Sequence, residues 1–242
     1  MTIWIGVTTH VDNGSEHDIY PNHPLQYVER TYLDTLLHFG MNPVLIPVTK
    51  DKEKLQEYLS SVNGLVLTGG GYVAKKPAPS LTLQNTGTER YQFEMEVLRQ
   101  AIPRSIPILG ICRGAQMINQ YYGGSLSPLS DHFLPNHYKK EGSPPNNCLH
   151  DIEISPDSKL AEVLPFKKNT VNSFHRQHIS TVGENLRPVA WNHTVIEAIE
   201  GTQHPWMVGV QFHPEHLWQQ DNRWENLFQS LKEHADPLPQ TK

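Results

Sequence analysis

One segment, Ile108-Leu-Gly-Ile-Cys112-Arg-Gly-Ala-Gln116, carries most of the chemistry legible in this 242-residue chain. An apolar run enters a Gly-x-Cys-x-Gly turn, and a helical pattern follows at once. Glycines at 110 and 114 permit a sharp strand-to-helix turn from which the central side chain projects, a nucleophile elbow with sulfur in place of a hydroxyl. Cys112 then sits at a helix N-terminus, where the dipole and unpaired N–H groups favour thiolate over thiol. A thiolate nucleophile needs a base, and the base needs an orienting group. Both are available in Met207-Val-Gly-Val-Gln-Phe-His213-Pro-Glu215. His213 and Glu215, two apart at the end of an apolar run, project to one side of an extended chain. The imidazole would hold and later return the proton, and the carboxylate would fix its tautomer. An acyl intermediate also needs an oxyanion hole. The Arg113 N–H, next after the nucleophile, is one donor by elbow geometry. The triple glycine at 69–71 could supply the second, because backbone without side chains approaches a ligand closely. Cys148, beside Pro144-Pro145 and Asn146-Asn147, lacks such a setting and reads as a packing residue.

The elements that must hold these groups follow from periodicity. Ile3–Val7, Val44–Val48, Gly64–Leu67 and Ile106–Ile111 read as short buried strands. Between them lie helical patterns over Leu25–Phe39 (ended by Gly40), Asp51–Leu59 and Glu89–Ile102, with Gly114–Tyr122 after the elbow. Apolar strands alternating with helices indicate an α/β fold, a doubly wound and mostly parallel sheet flanked by helices. Its carboxyl edge is where such sheets bind ligands. The second half differs. Ser127–Asn147, rich in proline, reads as a long connection. Shorter runs at Leu149–Ile154, Thr170–Phe174, Pro188–Trp191, Val195–Ile199 and Met207–Phe212 predict a small antiparallel region with a hairpin near Trp191–Val195. Asn222–His234 closes the fold as an amphipathic helix. One domain over 1–235 and a tail over 236–242 are expected.

Composition removes several classes of function. With 20 Lys+Arg against 25 Asp+Glu the net charge is −5, which offers no footprint for nucleic acid. No apolar run approaches the roughly 18–20 residues that cross a bilayer, and the N-terminus lacks the basic region of a signal peptide. Two cysteines suit a reducing, cytoplasmic compartment rather than a disulfide framework. No cofactor is implied.

Taken together, Leu67-Thr-Gly-Gly-Gly71, Gly110-Ile-Cys-Arg-Gly-Ala-Gln116, Gly123-Gly-Ser-Leu126, Val171-Asn-Ser-Phe-His175 and Gly209-Val-Gln-Phe-His-Pro-Glu215 resemble the class I glutamine amidotransferase superfamily, over about residues 1–232. Within it they are most similar to the stand-alone γ-glutamyl hydrolases. The resemblance implies a flavodoxin-like fold with Cys112 as nucleophile, His213 as base and acid, and Glu215 as orienter. It places Gly70 and the Arg113 N–H in the oxyanion hole. Gln116, Asn172 and Ser173 fall where members of the family line the glutamyl pocket, and Arg113 and His175 are further candidates for substrate contact. An elbow arginine could equally pair with a nearby acid, and His175 could equally be a packed histidine. Tyr72 stands where many hydrolases of the group carry an acid after the glycine turn.

The activity implied is hydrolysis of a small γ-glutamyl amide through a γ-glutamyl thioester. The alternatives are hydrolysis of a γ-glutamyl nucleotide phosphoramidate, a glutaminase subunit passing ammonia to a separate synthetase, and a non-catalytic binding protein. The substrate is then the main partner, with a homodimer allowed and a synthetase needed only under the glutaminase reading. Around the leaving group, Asp12, Glu16 and Asp18 would suit a polyamine. Lys75, Lys76, His132, His137, Lys139 and Lys140 would suit an anion. Fourteen histidines invite a metal reading. His175-x-x-His178 and His213-x-x-His216 have ligand-like spacing, and His132, His137 and His150 could add to them. Because His213 is already needed as the base, no functional metal is expected, only inhibitory zinc on the thiolate. The remaining histidines are expected in polar loops.

Overall fold

In the computed structural model, residues 2–14, 20–70, 87–138, 148–164 and 168–236 are described. Among them, eleven strands form one mixed sheet. Its parallel half contains β1 (Trp4–Thr8), β4 (Asn42–Ile46), β5 (Gly64–Leu67), β6 (Ile108–Ile111) and β13 (Met207–Val210), in the order β4-β1-β5-β6-β13. The antiparallel half continues through β12 (Val195–Gly201), β11 (Leu186–Asn192), β8 (Leu149–Ile154) and β9 (Lys168–Asn172). The expected hairpin is the β11–β12 pair, in which Asn192 lies opposite Val195.

Helices cover both faces, as buried parallel strands require. On one face Tyr32, Leu36 and Phe39 of the α1 region (Arg30–His38) join Leu227, Phe228 and Leu231 of α7 (Glu225–Ala235). On the other, α2 (Lys52–Ser60), α3 (Gly87–Ala101) and α4 (Arg113–Tyr121) contribute Leu55, Leu59, Phe93, Val97, Met117 and Ile118. Asp51 is the N-cap of α2, its carboxylate accepting from the N–H groups of Glu53 and Lys54 at 3.1 and 3.0 Å. Helix α4 lies so close to the sheet that a Cβ on Gly114 would stand 2.2 Å from the Leu67 carbonyl oxygen. No larger residue fits that contact.

Three expectations need correction. The first helix does not begin at Leu25: residues Leu25–Tyr27 form β3, which pairs antiparallel with β2 (His10–Asp12). Their backbone groups gain a ladder there, and the helix starts only at Arg30. The connection after α4 contains β7 (Ser125–Pro128) and the short α5 (Leu134–His137). A further strand, β10 (Gln177–Thr181), pairs with both β7 and β12. It has one buried apolar residue, Ile179, and so no hydrophobic signature. The expected tail lies outside the described residues beyond Asp236, as do Gly71, Tyr72, Glu16, Asp18, Lys75, Lys76, Lys139 and Lys140. No helix among the described residues is long and apolar enough to cross a membrane.

Candidate active site

Parallel register brings three loops to one edge of the sheet. Leu67 of β5 is level with Gly110 of β6, and Gly110 is level with Gly209 of β13. Gly70 and Arg113 therefore each lie three residues past a paired position, while the chain leaving β13 reaches His213 on the same edge.

Cys112 occupies the turn between β6 and α4 with φ 51° and ψ −100°, a conformation that costs a non-glycine residue energy. The turn is held by its own N–H, which donates to the Val210 carbonyl at 2.6 Å, and by the Gln116 N–H, which donates back to the Cys112 carbonyl at 3.2 Å. The cysteine is the N-cap of α4 and makes no side-chain capping bond, so its sulfur sits at the positive end of the helix. Its position relative to His213 can be read at Gly69. A Cβ there would lie 2.9 Å from His213 Cε1, 3.0 Å from Tyr32 Oη and 3.4 Å from Cys112 Cβ. Cysteine, histidine and tyrosine thus converge on one bare stretch of backbone.

His213 and Glu215 are joined directly, Nδ1 to Oε1 at 2.6 Å, with the Glu215 side chain fully buried. The other ring nitrogen, Nε2, is buried beside Cys112. Burial works against the imidazolium. The Glu215 carboxylate, aided by Cys112, outweighs it and holds His213 well above its ordinary pKa. The imidazole backbone is clamped by Asn172, whose Oδ1 accepts from the His213 N–H at 2.8 Å while its Nδ2 donates to the His213 carbonyl at 3.0 Å. Phe174 meets the ring edge-on at 5.1 Å.

The glycine turn is shaped from behind by Arg90, which the sequence marks only as a helix residue. Its guanidinium is fully buried and donates to the carbonyls of Thr68, Gly69 and Gly70 at 3.0, 3.1 and 3.1 Å. In a trans peptide the carbonyl and the N–H point oppositely. Capture of the Gly69 carbonyl therefore turns the Gly70 N–H away from Arg90. Gly70 itself has φ +82°, and a Cβ on it would stand 2.3 Å from His10 Cε1. Glu94 completes the support, bonding Arg90 Nε at 2.9 Å through one oxygen and Arg113 Nε at 3.0 Å through the other. Burial lowers the Arg113 guanidinium to about 10, with Glu94 opposing. His10 accepts from Arg90 at 3.1 Å, and burial followed by the two guanidinium charges keeps it well below its usual pKa. Tyr32 accepts the Gly69 N–H at 2.9 Å.

The remaining candidates are distributed as follows. The Arg113 side chain is 1 % exposed and committed to Glu94, so it does not reach outward to a substrate. Of the two readings open for an elbow arginine, pairing with an acid is the one seen. Gln116 spends its amide nitrogen on the Gln177 carbonyl at 3.0 Å and on Gln211 at 3.2 Å. Ser173 is buried and its hydroxyl makes no hydrogen bond. His175 is a packed histidine, close to Glu197 at 3.6 Å. Asp12 and His137, expected among the loop charges around the leaving group, are buried, whereas His132 is exposed. The expectation that surplus histidines occupy polar loops is corrected by His137, His150 and His175, which are all buried. The only advance signal for Arg90 and Glu94 was their i, i+4 spacing.

Comparison with known proteins adds the lineage. The Peptidase C26 profile matches residues 4–215. The chain belongs to the Peptidase C26 family. This C26 protein is 32 % identical over 210 residues to a glutamine amidotransferase-like protein of Lactococcus lactis, covering 85 % of this chain and 87 % of that one. It is 30 % identical over 207 residues to the γ-glutamyl-γ-aminobutyrate hydrolase PuuD of Escherichia coli, covering 80 % of each. In fold it is similar to a glutamine amidotransferase from Thermotoga maritima, with TM-score 0.58 and 19 % identity over 98 % of this chain and 87 % of the other. A Thermoplasma acidophilum protein described as part of a GMP synthase gives TM-score 0.62 at 21 % identity, over 96 % of this chain and 97 % of the other. The chain is glutamine amidotransferase-like in both sequence family and architecture.

Proposed function

We propose that the protein hydrolyses the γ-glutamyl amide bond of a small γ-glutamyl amine. The observation that carries this reading is the 2.6 Å His213–Glu215 contact, set beside a cysteine held at φ 51° on a helix N-terminus. In the first step the Cys112 thiolate attacks the γ-carbonyl carbon, and the Gly70 and Arg113 N–H groups receive the oxyanion. The C–N bond then breaks as His213 Nε2–H protonates the departing amine. Neutral His213 next takes a proton from water, whose oxygen attacks the γ-glutamyl thioester. Glutamate leaves, and the thiolate–imidazolium pair is restored. The Escherichia coli relative is named for hydrolysis of such an amide, which supports the reading.

The test is glutamate release from a panel of γ-glutamyl amides with neutral, cationic and anionic amines, with glutamine included. At least one small amide is expected to turn over faster than glutamine. Cys112→Ala is expected to bind that amide without turning it over. Undiminished turnover by Cys112→Ala, or no glutamate from any member of the panel, would sink the assignment.

A further inference from the structure

Away from the cysteine, three histidines close on a single carboxylate oxygen. The Nε2 atoms of His137, His150 and His175 lie 3.2, 3.4 and 3.6 Å from Glu197 Oε1. The four residues come from α5, β8, the β9–β10 connection and β12, and each is at least nine-tenths buried.

Protons alone do not satisfy this arrangement. His137 Nδ1 lies 2.8 Å from the Phe133 carbonyl and His175 Nδ1 lies 2.9 Å from the Gln177 carbonyl. A carbonyl only accepts, so both Nδ1 atoms carry hydrogen and, in the neutral ring, both Nε2 atoms present a lone pair. Those lone pairs face a carboxylate, which also only accepts. Protonating both rings would place two buried imidazolium ions against one carboxylate, an uncompensated buried charge. The tilted rings of His137 and His150, with centroids 4.2 Å apart, disfavour a third cation as well. Glu197 Oε2, His175 Nε2 and both nitrogens of His150 are buried without a hydrogen bond.

We infer that His137, His150, His175 and Glu197 form a structural site for a divalent transition-metal ion of the zinc type. Ligand bonds of about 2.0–2.1 Å in a tetrahedron place neighbouring donor atoms about 3.3 Å apart. The three separations from Glu197 Oε1 fall near that value, and the donor atoms of His137, His150 and Glu197 all lie within 4.8 Å of one another. His175 stands outside that trio and would close in as the fourth ligand. A cation receives all three lone pairs and offsets the carboxylate. The carbonyls of Phe133 and Gln177 then act as the outer partners that fix ligand tautomers. Four protein donors leave no open position, which marks a structural rather than a hydrolytic metal. The ion would tie α5 to the sheet and anchor His175, three residues from the Asn172 clamp on His213. Sequence spacing offered His175 with His178, and His137 and His150 as additions, but not Glu197, because these residues are gathered by strand pairing.

The experiment is elemental analysis of the intact protein after exhaustive dialysis against metal-free buffer, with wild type, Cys112→Ala, His150→Ala and Glu197→Gln compared. About one zinc per chain is expected in wild type and in Cys112→Ala, and a small fraction of that in the other two. Chelation should lower the melting temperature of wild type but leave that of Glu197→Gln unchanged. Cobalt(II) loaded in place of zinc should give the intense visible bands of tetrahedral coordination. Wild type that holds no metal after refolding with zinc refutes the site. So does metal that disappears with Cys112→Ala and stays with Glu197→Gln, which would put it on the catalytic thiolate. If His150→Ala fails to fold, His175→Asn serves in its place. None of these readouts depends on the proposed reaction.

Discussion

Replacing Glu215 by Gln removes a charge from the site while preserving shape and an acceptor oxygen. In wild type the carboxylate lies 2.6 Å from His213 Nδ1 with no solvent at its side chain, and it is the strongest influence raising the imidazole pKa. A hydrogen bond to a charged group contributes about 1.5–3 kcal/mol, so the imidazolium should lose that much support. The loss corresponds to a downward shift of about one to two pK units and a fall in kcat/KM of about 10- to 150-fold. The assay is the pH profile of kcat/KM for the best γ-glutamyl amide. The thiolate–imidazolium form disappears as pH rises through the His213 pKa, so the alkaline limb should move down in the variant. Stability follows the same sign. A raised folded-state pKa stabilises fully below the unfolded value of about 6.5 and is lost as pH rises through the folded one. The melting-temperature gap between wild type and variant should therefore be widest in mild acid and close in alkali. An unshifted alkaline limb with wild-type kcat/KM would refute the assignment of Glu215 as the partner of the base.

Other substitutions probe the supports. Gly70→Ala forces a Cβ to 2.3 Å from His10 at φ +82° and should cut kcat by about 10²–10³-fold through the displaced oxyanion donor, with KM changed far less. Glu94→Gln leaves Arg90 and Arg113 buried without their shared anion and should cost about 3–5 kcal/mol in chemical denaturation. Asn172→Ala unclamps the His213 backbone; kcat should drop about tenfold or more, and Asn172→Asp, which keeps one acceptor, should recover part of it.

Residues adjacent in sequence were the ones whose placement could be read early. The elbow glycines, the apolar run before Cys112 and the His-Pro-Glu turn act through local geometry, and local geometry is written in spacing. The parallel half of the sheet was legible for a related reason, since strands buried on both faces must be apolar throughout. Helix α1 starts later than the periodicity implies because Leu25 and Val28 satisfy a helical repeat, whereas Leu25 belongs to the short β2–β3 ladder. Strand β10 went unread because its support comes from β7 and β12, far away in the chain.

By itself, then, the sequence determined the sharp turn at Cys112 before α4, the adjacent His213–Glu215 pair and a doubly wound scaffold. Only the tertiary structure decided that Arg113 faces inward to Glu94, that Arg90 holds the glycine turn by its carbonyls, and that three histidines surround Glu197. Those contacts join residues far apart in the chain. Register across the sheet brings them together, and burial makes each unpaired charge or lone pair too costly to leave without a partner.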